Sequence, residues 1–262
     1  MFAFDPYNFI STLVICFAIQ IGFFVLAATF KTDKVTDLSY SLTFIILALL
    51  LLFTNQTFFT TQIIIALLII TWGIRLAVYL FSRMLKIGRD SRFDDIRDNF
   101  LKFVGFWTLQ AVSVWIIMLP STVALSSETN PNVIWLAGLG LFVSSIGLII
   151  ETTADYQKYV FKNDPNNRGT WIQSGIWKYF RHPNYFGEML VWWGLFIIGI
   201  GYRSEVYRLT ILSPIYLTLL LLFVSGVPTL EKKYDQRYKD NEDYQQYKES
   251  TSLIVPLPPK TK

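Results

Sequence analysis

The residue types best placed to do chemistry fall within residues 175–194. Arg181 and His182, the only histidine of the chain, stand immediately before Pro183, and Asn184, Tyr185 and Glu188 follow it. Proline suits the first turn of a helix, where its missing N–H costs nothing. A helix starting at Pro183 puts Asn184 and Glu188, four apart, on one face. Its N-terminus carries unpaired N–H groups and a positive partial charge, which favour an anion. Glu188 falls inside the apolar run that follows, where a carboxylate is expensive and by default suggests function. Cationic, amide and carboxylate groups are therefore offered together at one membrane surface.

The elements that must position these groups are apolar helices. The chain has 262 residues and is 53% hydrophobic, more than a soluble domain of this size usually carries. Seven apolar stretches, at 9–30, 38–53, 63–80, 103–119, 133–150, 185–202 and 209–227, approach the ~17–25 residues needed to cross a bilayer. The second and sixth are at the short end, which leaves one of them room to be re-entrant. The first is too long for a signal-peptide core and lacks a basic flank, so it reads as a retained span. Lys and Arg are dense after the first, third, fifth and seventh stretches and absent from 55–62 and 120–132. Arg203 and Arg208 break the pattern mildly. Because positive loops stay inside, the N-terminus is expected outside and the C-terminus in the cytoplasm. The expected fold is all-α, a single integral-membrane domain over 1–262 with about seven spans. It would sit in the inner or plasma membrane of a bacterium, or the endoplasmic reticulum of a eukaryote.

Several chemistries lack their parts. Cys16 is the only cysteine and lies in an apolar run, so neither an intrachain disulfide nor a Cys/His zinc site is expected, and no metal is assigned. The surplus of Lys and Arg over Asp and Glu, 23 to 19, is topological and gives no sign of nucleic acid. No G-x-G-x-x-G or P-loop pattern occurs, nor a Gly-x-Ser-x-Gly elbow, a voltage-sensor array or an inverted repeat.

Three connecting segments on the basic side are richer than connectors need to be: 75–98, 151–187 and 228–247. Arg and Lys interleaved with aromatic residues can hold a phosphorylated cofactor, through bidentate guanidinium contacts and ring stacking. Positive-inside retention alone accounts for a single residue such as Lys86. Arg75 differs, because it lies within the third apolar stretch, where it must pair or snorkel. Glu151 and Asp155, one turn apart at the end of the fifth stretch, can bind a ribose, an amide or an Arg, or simply form a solvated helix end. Glu231 begins a charged tail.

The stretch Phe180-Arg181-His182-Pro183-Asn184-Tyr185-Phe186-Gly187-Glu188 resembles the signature of the DUF1295 branch of the steroid 5-alpha-reductase superfamily. The resemblance continues through Trp72-Gly73-x-Arg75, Gly88-Arg89-Asp90-x-Arg92-Phe93, Asn166-Asn167-Arg168-Gly169 and the Glu231 tail. It implies seven spans and reduction of a carbon–carbon double bond by NADPH held on the cytoplasmic side. It also implies a cofactor region mainly in 72–98 and 151–247. Carried over by position, Asn184 meets the nicotinamide region, with Arg181, His182, Arg75, Asp155, Arg168, Lys162 and Arg92 as further cofactor contacts. Glu188 and Tyr185 are the catalytic candidates; for the proton donor, Tyr185 and Tyr179 both stand close in the sequence, and the choice between them stays open. The partners implied are a lipophilic, steroid-like or isoprenoid-like substrate and membrane lipids. The second stretch lacks the acidic residue of the steroid reductases, and Trp72 stands where they carry a tyrosine, so a steroid is not implied.

Isoprenylcysteine and phospholipid methyltransferases of the same lineage also carry an Arg-His-Pro-x-Tyr stretch, but bind S-adenosylmethionine. They usually lack the Asn and the Glu one turn later, and often have paired tail glutamates where this chain has Glu231 followed by Lys232. That contrast favours a reductase over a methyltransferase. A non-catalytic lipid-binding protein would have no need of Arg75 and Glu188 inside apolar stretches.

Overall fold

The structure, a computed structural model, describes residues 4–87, 94–131, 133–202 and 204–259. Its regular elements are helices, and the one β-bridge among the described residues joins Phe180 to Ser252. In chain order the helices are α1 (Phe9–Thr29), α2 (Thr36–Asn55), α3 (Thr60–Ile87), α4 (Asp94–Arg97), α5 (Phe100–Leu125) and α6 (Ile134–Asn163). They continue with α7 (Pro183–Gly199), α8 (Glu205–Leu209), α9 (Leu212–Leu219), α10 (Val227–Arg237) and α11 (Glu242–Ser250). Among the described residues seven helical segments are long and apolar enough to cross a membrane. The protein is therefore a polytopic, all-helical membrane protein, as its composition requires. Residues such as Val14, Val78, Phe142, Ile149 and Phe223 are exposed, as apolar side chains facing lipid should be.

The boundaries depart from the apolar runs in instructive ways. The two stretches that read as short become segments of 20 residues each, Thr36–Asn55 and Pro183–Tyr202, each about 30 Å long at ~1.5 Å per residue. Pro120 does not open a loop; it lies inside α5, which continues to Leu125. The fifth span does not end at residue 150, because α6 runs 30 residues to Asn163. What stops α6 is Pro165, which bars its predecessor from helical geometry, and Asp164 is extended at φ −82°, ψ 119°. Asp164 then caps the short 3₁₀ turn Pro165–Asn167 by accepting from the Asn166 N–H at 2.9 Å. At ~1.5 Å per residue α6 is about 45 Å long, which outruns a hydrocarbon core of about 30 Å.

The described residues cluster into two compact units. The first comprises Met1–Leu141 and Leu195–Ser213, and the second Phe142–Gly194 and Pro214–Lys262. In the first, α2 packs along α3 and α1 along α5. Polar side chains pin α1, α2 and α5 together: Gln20 donates to Thr43 Oγ1 at 2.8 Å, and Gln110 donates to Gln20 Oε1 at 2.8 Å and to Ser39 Oγ at 2.9 Å. Such interhelical bonds contribute about 0.6–2 kcal/mol each in a membrane. Beyond the apolar zone Asp33 pairs with Arg97 and Asp37 with Arg83, both at 3.6 Å.

In the second unit α6 and α7 touch backbone to backbone. A Cβ on Gly187 would lie 2.7 Å from the Glu151 nitrogen and 2.7 Å from the Gly147 carbonyl oxygen, and one on Gly147 would lie 2.6 Å from the Gly187 carbonyl oxygen. Ser144 completes the seam by donating to the Val191 carbonyl at 3.0 Å. Small residues at a membrane helix contact permit this approach. The last span is interrupted: Leu220–Val224 forms a π turn, with the Ser225 N–H bonding back to the Leu220 carbonyl at 2.9 Å. The chain then turns at Gly226 into α10.

Candidate functional site

The second unit assembles the sequence-predicted residues around the start of α7. Pro183 is the first residue of α7, as expected of its fixed φ, and His182 stands just before it. Asn184 and Tyr185 lie in the first turn and Glu188 in the second. Because Gly187 abuts the backbone of Glu151, this start of α7 lies against the extension of α6 that carries Glu151 and Asp155, which are 2% and 5% exposed. The two acids are thus not a solvated helix end.

The segment between α6 and α7 folds back on α6. Trp177 Nε1 donates to the Ala154 carbonyl at 3.1 Å, the Ile176 N–H donates to Gln157 Oε1 at 3.0 Å, and Lys158 Nζ sits 4.8 Å from the centre of the Trp177 ring. The C-terminal strap lies along the other side. The Arg181 N–H donates to the Ser252 carbonyl at 2.9 Å, and Tyr247 donates to the Trp177 carbonyl at 3.0 Å. Trp171, Tyr238, Tyr244 and Tyr247 form an aromatic cluster beneath the strap, with Trp171 centred 5.2 Å from both Tyr238 and Tyr244. Burial pushes the Tyr244 and Tyr247 hydroxyls above the ordinary tyrosine range.

Glu231, one turn into α10, ties the site together. Its Oε2 accepts from Arg181 Nη1 at 2.7 Å and its Oε1 lies 2.8 Å from His182 Nε2. Lys248 of α11 approaches Oε2 at 3.9 Å and pairs with Asp235, one turn further along α10. Tyr185 stacks on His182, ring centres 5.6 Å apart and 12° from parallel. Gly226 presses on the same tyrosine: a Cβ there would lie 3.1 Å from Tyr185 Cε2. The break in the last span therefore both seats Tyr185 and redirects the chain so that Glu231 reaches Arg181 and His182.

His182 is buried at 2% exposure, and burial pushes its pKa below the ordinary histidine value against the upward pull of Glu231. Its Nδ1 and the Oδ1 of Asn184 are both buried and find no hydrogen-bond partner among the described residues. Buried polar atoms are normally satisfied, so two unpartnered polar atoms side by side at one helix start leave a place for a ligand or water.

The remaining expected residues are distributed as follows. Asp155 lies on α6 within the second unit. Lys162 is exposed in the last turn of α6, and Arg168 is exposed just after the 3₁₀ turn. Arg75 lies in α3 within the first unit, one turn from the fully buried Trp72, whose ring meets Phe44 edge to face at 5.1 Å. Arg92, with the motif 88–93, lies outside the described residues. Glu231, Asp235 and Lys248 were absent from the expected set. Their signal was the spacing of Glu231 and Asp235 one helical turn apart, three residues after Pro228. No group of His, Cys, Asp and Glu able to hold a metal occurs among the described residues.

No curated protein and no solved structure matches the chain. The model of DUF1295, described as a protein of unknown function, matches residues 23–251, which takes in α2 to α11, the end of α1 and every residue of the cluster around Glu231. The chain therefore belongs to the DUF1295 family.

Proposed function

We propose that the protein is a membrane-embedded reductase that uses NADPH to saturate a carbon–carbon double bond in a lipophilic, steroid-like or isoprenoid-like substrate. The observation that carries the reading is Asn184: its buried Oδ1 has no partner among the described residues and stands in the first turn of α7, which Arg181 and His182 immediately precede. An amide acceptor there fits the N–H of a nicotinamide carboxamide. Asp155, with its burial beside the same helix start, fits a ribose hydroxyl, and the exposed Lys162 and Arg168 fit phosphates. Arg75 and Arg92 join this set through the family resemblance alone. When bound, NADPH supplies the hydride.

The protein's own part is to orient and to exclude water. Asn184 fixes one edge of the ring, and Glu188, one turn on along the same face, stabilises that arrangement. Tyr185, held between His182 and Gly226, presents a hydroxyl that can deliver a proton to the carbon that does not receive hydride. The apolar spans admit the substrate from the bilayer and keep water from the reacting carbons.

One observation favours a second reading, an S-adenosylmethionine-dependent methyltransferase. Glu231 already neutralises Arg181 at 2.7 Å, which reduces the positive charge available for a pyrophosphate. The test is thermal stability in mild detergent with each cofactor. A ligand that binds only the folded state stabilises it by about 2.7 kcal/mol at a hundred times its Kd. NADPH is expected to raise Tm and S-adenosylmethionine to leave it unchanged. Asn184→Ala is expected to weaken NADPH binding by about 1–3 kcal/mol, the range for losing a buried polar partner. The reverse order of the two cofactors would establish the methyltransferase instead.

A further inference from the structure

Glu231 holds two donors of different kinds, and that difference fixes the state of His182. A carboxylate 2.7 Å from a guanidinium nitrogen and 3.9 Å from Lys248 Nζ is ionised, and an ionised carboxylate only accepts. At 2.8 Å from Glu231 Oε1, His182 Nε2 must therefore carry a hydrogen. A neutral imidazole has one N–H, so Nδ1 is then a bare lone pair. That nitrogen is buried and has no partner among the described residues, while its ring is held on one face by Tyr185. The neutral form is favoured by burial first and then by the charges of Lys158 and Arg181.

We propose that Glu231 is a positioning residue that locks His182 in the neutral Nε2–H tautomer, so that Nδ1 accepts an N–H or O–H from the bound cofactor. The ligand side of the inference rests on the reductase reading; the tautomer does not. It also changes the role expected of His182. A lone pair repels a phosphate, which at neutral pH offers only acceptors, so His182 serves a hydroxyl or carboxamide group of the dinucleotide and leaves the phosphates to Arg and Lys. The arrangement matches the carboxylate–imidazole pairs in which the acid sets the tautomer of the base.

Because His182 is the only histidine of the chain, protein labelled with ¹⁵N-histidine gives one imidazole in its NMR spectrum. Ligand-free wild type near pH 8 is expected to show a protonated Nε2 and a bare Nδ1; a protonated Nδ1 would overturn the proposal whatever cofactor binds. In Glu231→Gln the side-chain amide can donate as well as accept, so the two tautomers are expected to mix and NADPH affinity to fall about tenfold, the cost of one hydrogen bond. An unchanged tautomer in that variant removes Glu231 from the role. Adding NADPH is expected to shift the Nδ1 resonance of wild type. If nicotinamide fluorescence reports binding while Nδ1 stays put, the dyad does not serve the ligand and the reductase reading survives. If S-adenosylmethionine moves Nδ1 and NADPH does not bind, the reductase reading fails and the dyad survives. If neither binds, the reductase reading and the ligand role of Nδ1 are both lost, and the tautomer is decided by the ligand-free spectrum alone.

Discussion

His182 is folded into a site that prefers it uncharged, and this has a sign. Burial outweighs the attraction of Glu231 and leaves the folded pKa below 6.5. Between that lowered value and 6.5 the unfolded chain holds a proton that the folded chain lacks, so stability falls as pH drops through this window. Melting of the wild type in detergent is expected to move to lower temperature as pH falls below about 6.5, and His182→Asn to flatten that slope. Scanning calorimetry across the pH series measures it. With one histidine in the chain, carboxylates and the α-amino group account for any residual slope. Arg181, His182 and Asn184 were legible in sequence because Pro183 fixes them to a helix start. Their anchor was not, because Arg181 and Glu231 are 50 residues apart and no local spacing links them.

Among the elements, the α6–α7 seam has the least tolerance. A methyl group on Gly187 meets backbone atoms of Glu151 and Gly147 at 2.7 Å, and backbone cannot swing aside as a side chain can. Gly187→Ala is expected to cost about 1–3 kcal/mol of stability by overpacking and to weaken cofactor binding with it, because the same contact sets the start of α7. Gly138→Ala, also in α6 but with nothing within 4 Å of the new carbon, is the control and is expected to be neutral or slightly stabilising. Thermal melts of both variants decide it. The helices themselves were readable from apolar runs, but their ends were not. Hydropathy stops near Ile150, whereas the backbone ladder of α6 continues until Pro165 forbids it. The π turn at Leu220–Val224 was invisible for the opposite reason: every residue in it is apolar, and the interruption serves packing around Tyr185 and Gly226.

For the molecule as a whole, seven spans would put the two ends of the chain on opposite sides of the membrane, and by the positive-inside rule the C-terminal side is expected to be cytoplasmic. A reporter fused after Lys262 is expected to read as cytoplasmic and one inserted at Glu128 as external. Glu128 is the better site in that loop, because Ser126 is buried and accepts from the Asn8 amide at 2.7 Å, whereas Glu128 is exposed. Two reporters on one side would remove the seven-span arrangement.

The length of α6 also acts as a depth gauge. Counting from Ile134, about 20 residues exhaust the hydrocarbon, which places the boundary with the head groups near Ala154. Gly187 meets α6 at Glu151 and Trp177 meets it at Ala154, so the start of α7 lies at that boundary rather than at the bilayer midplane. A hydrocarbon dissolved among the acyl tails spends little time at this level. On the reductase reading proposed above, the substrate is expected to be an amphiphile, with a polar group that floats it to the head-group layer and holds its reactive carbons there, within reach of a cofactor arriving from water.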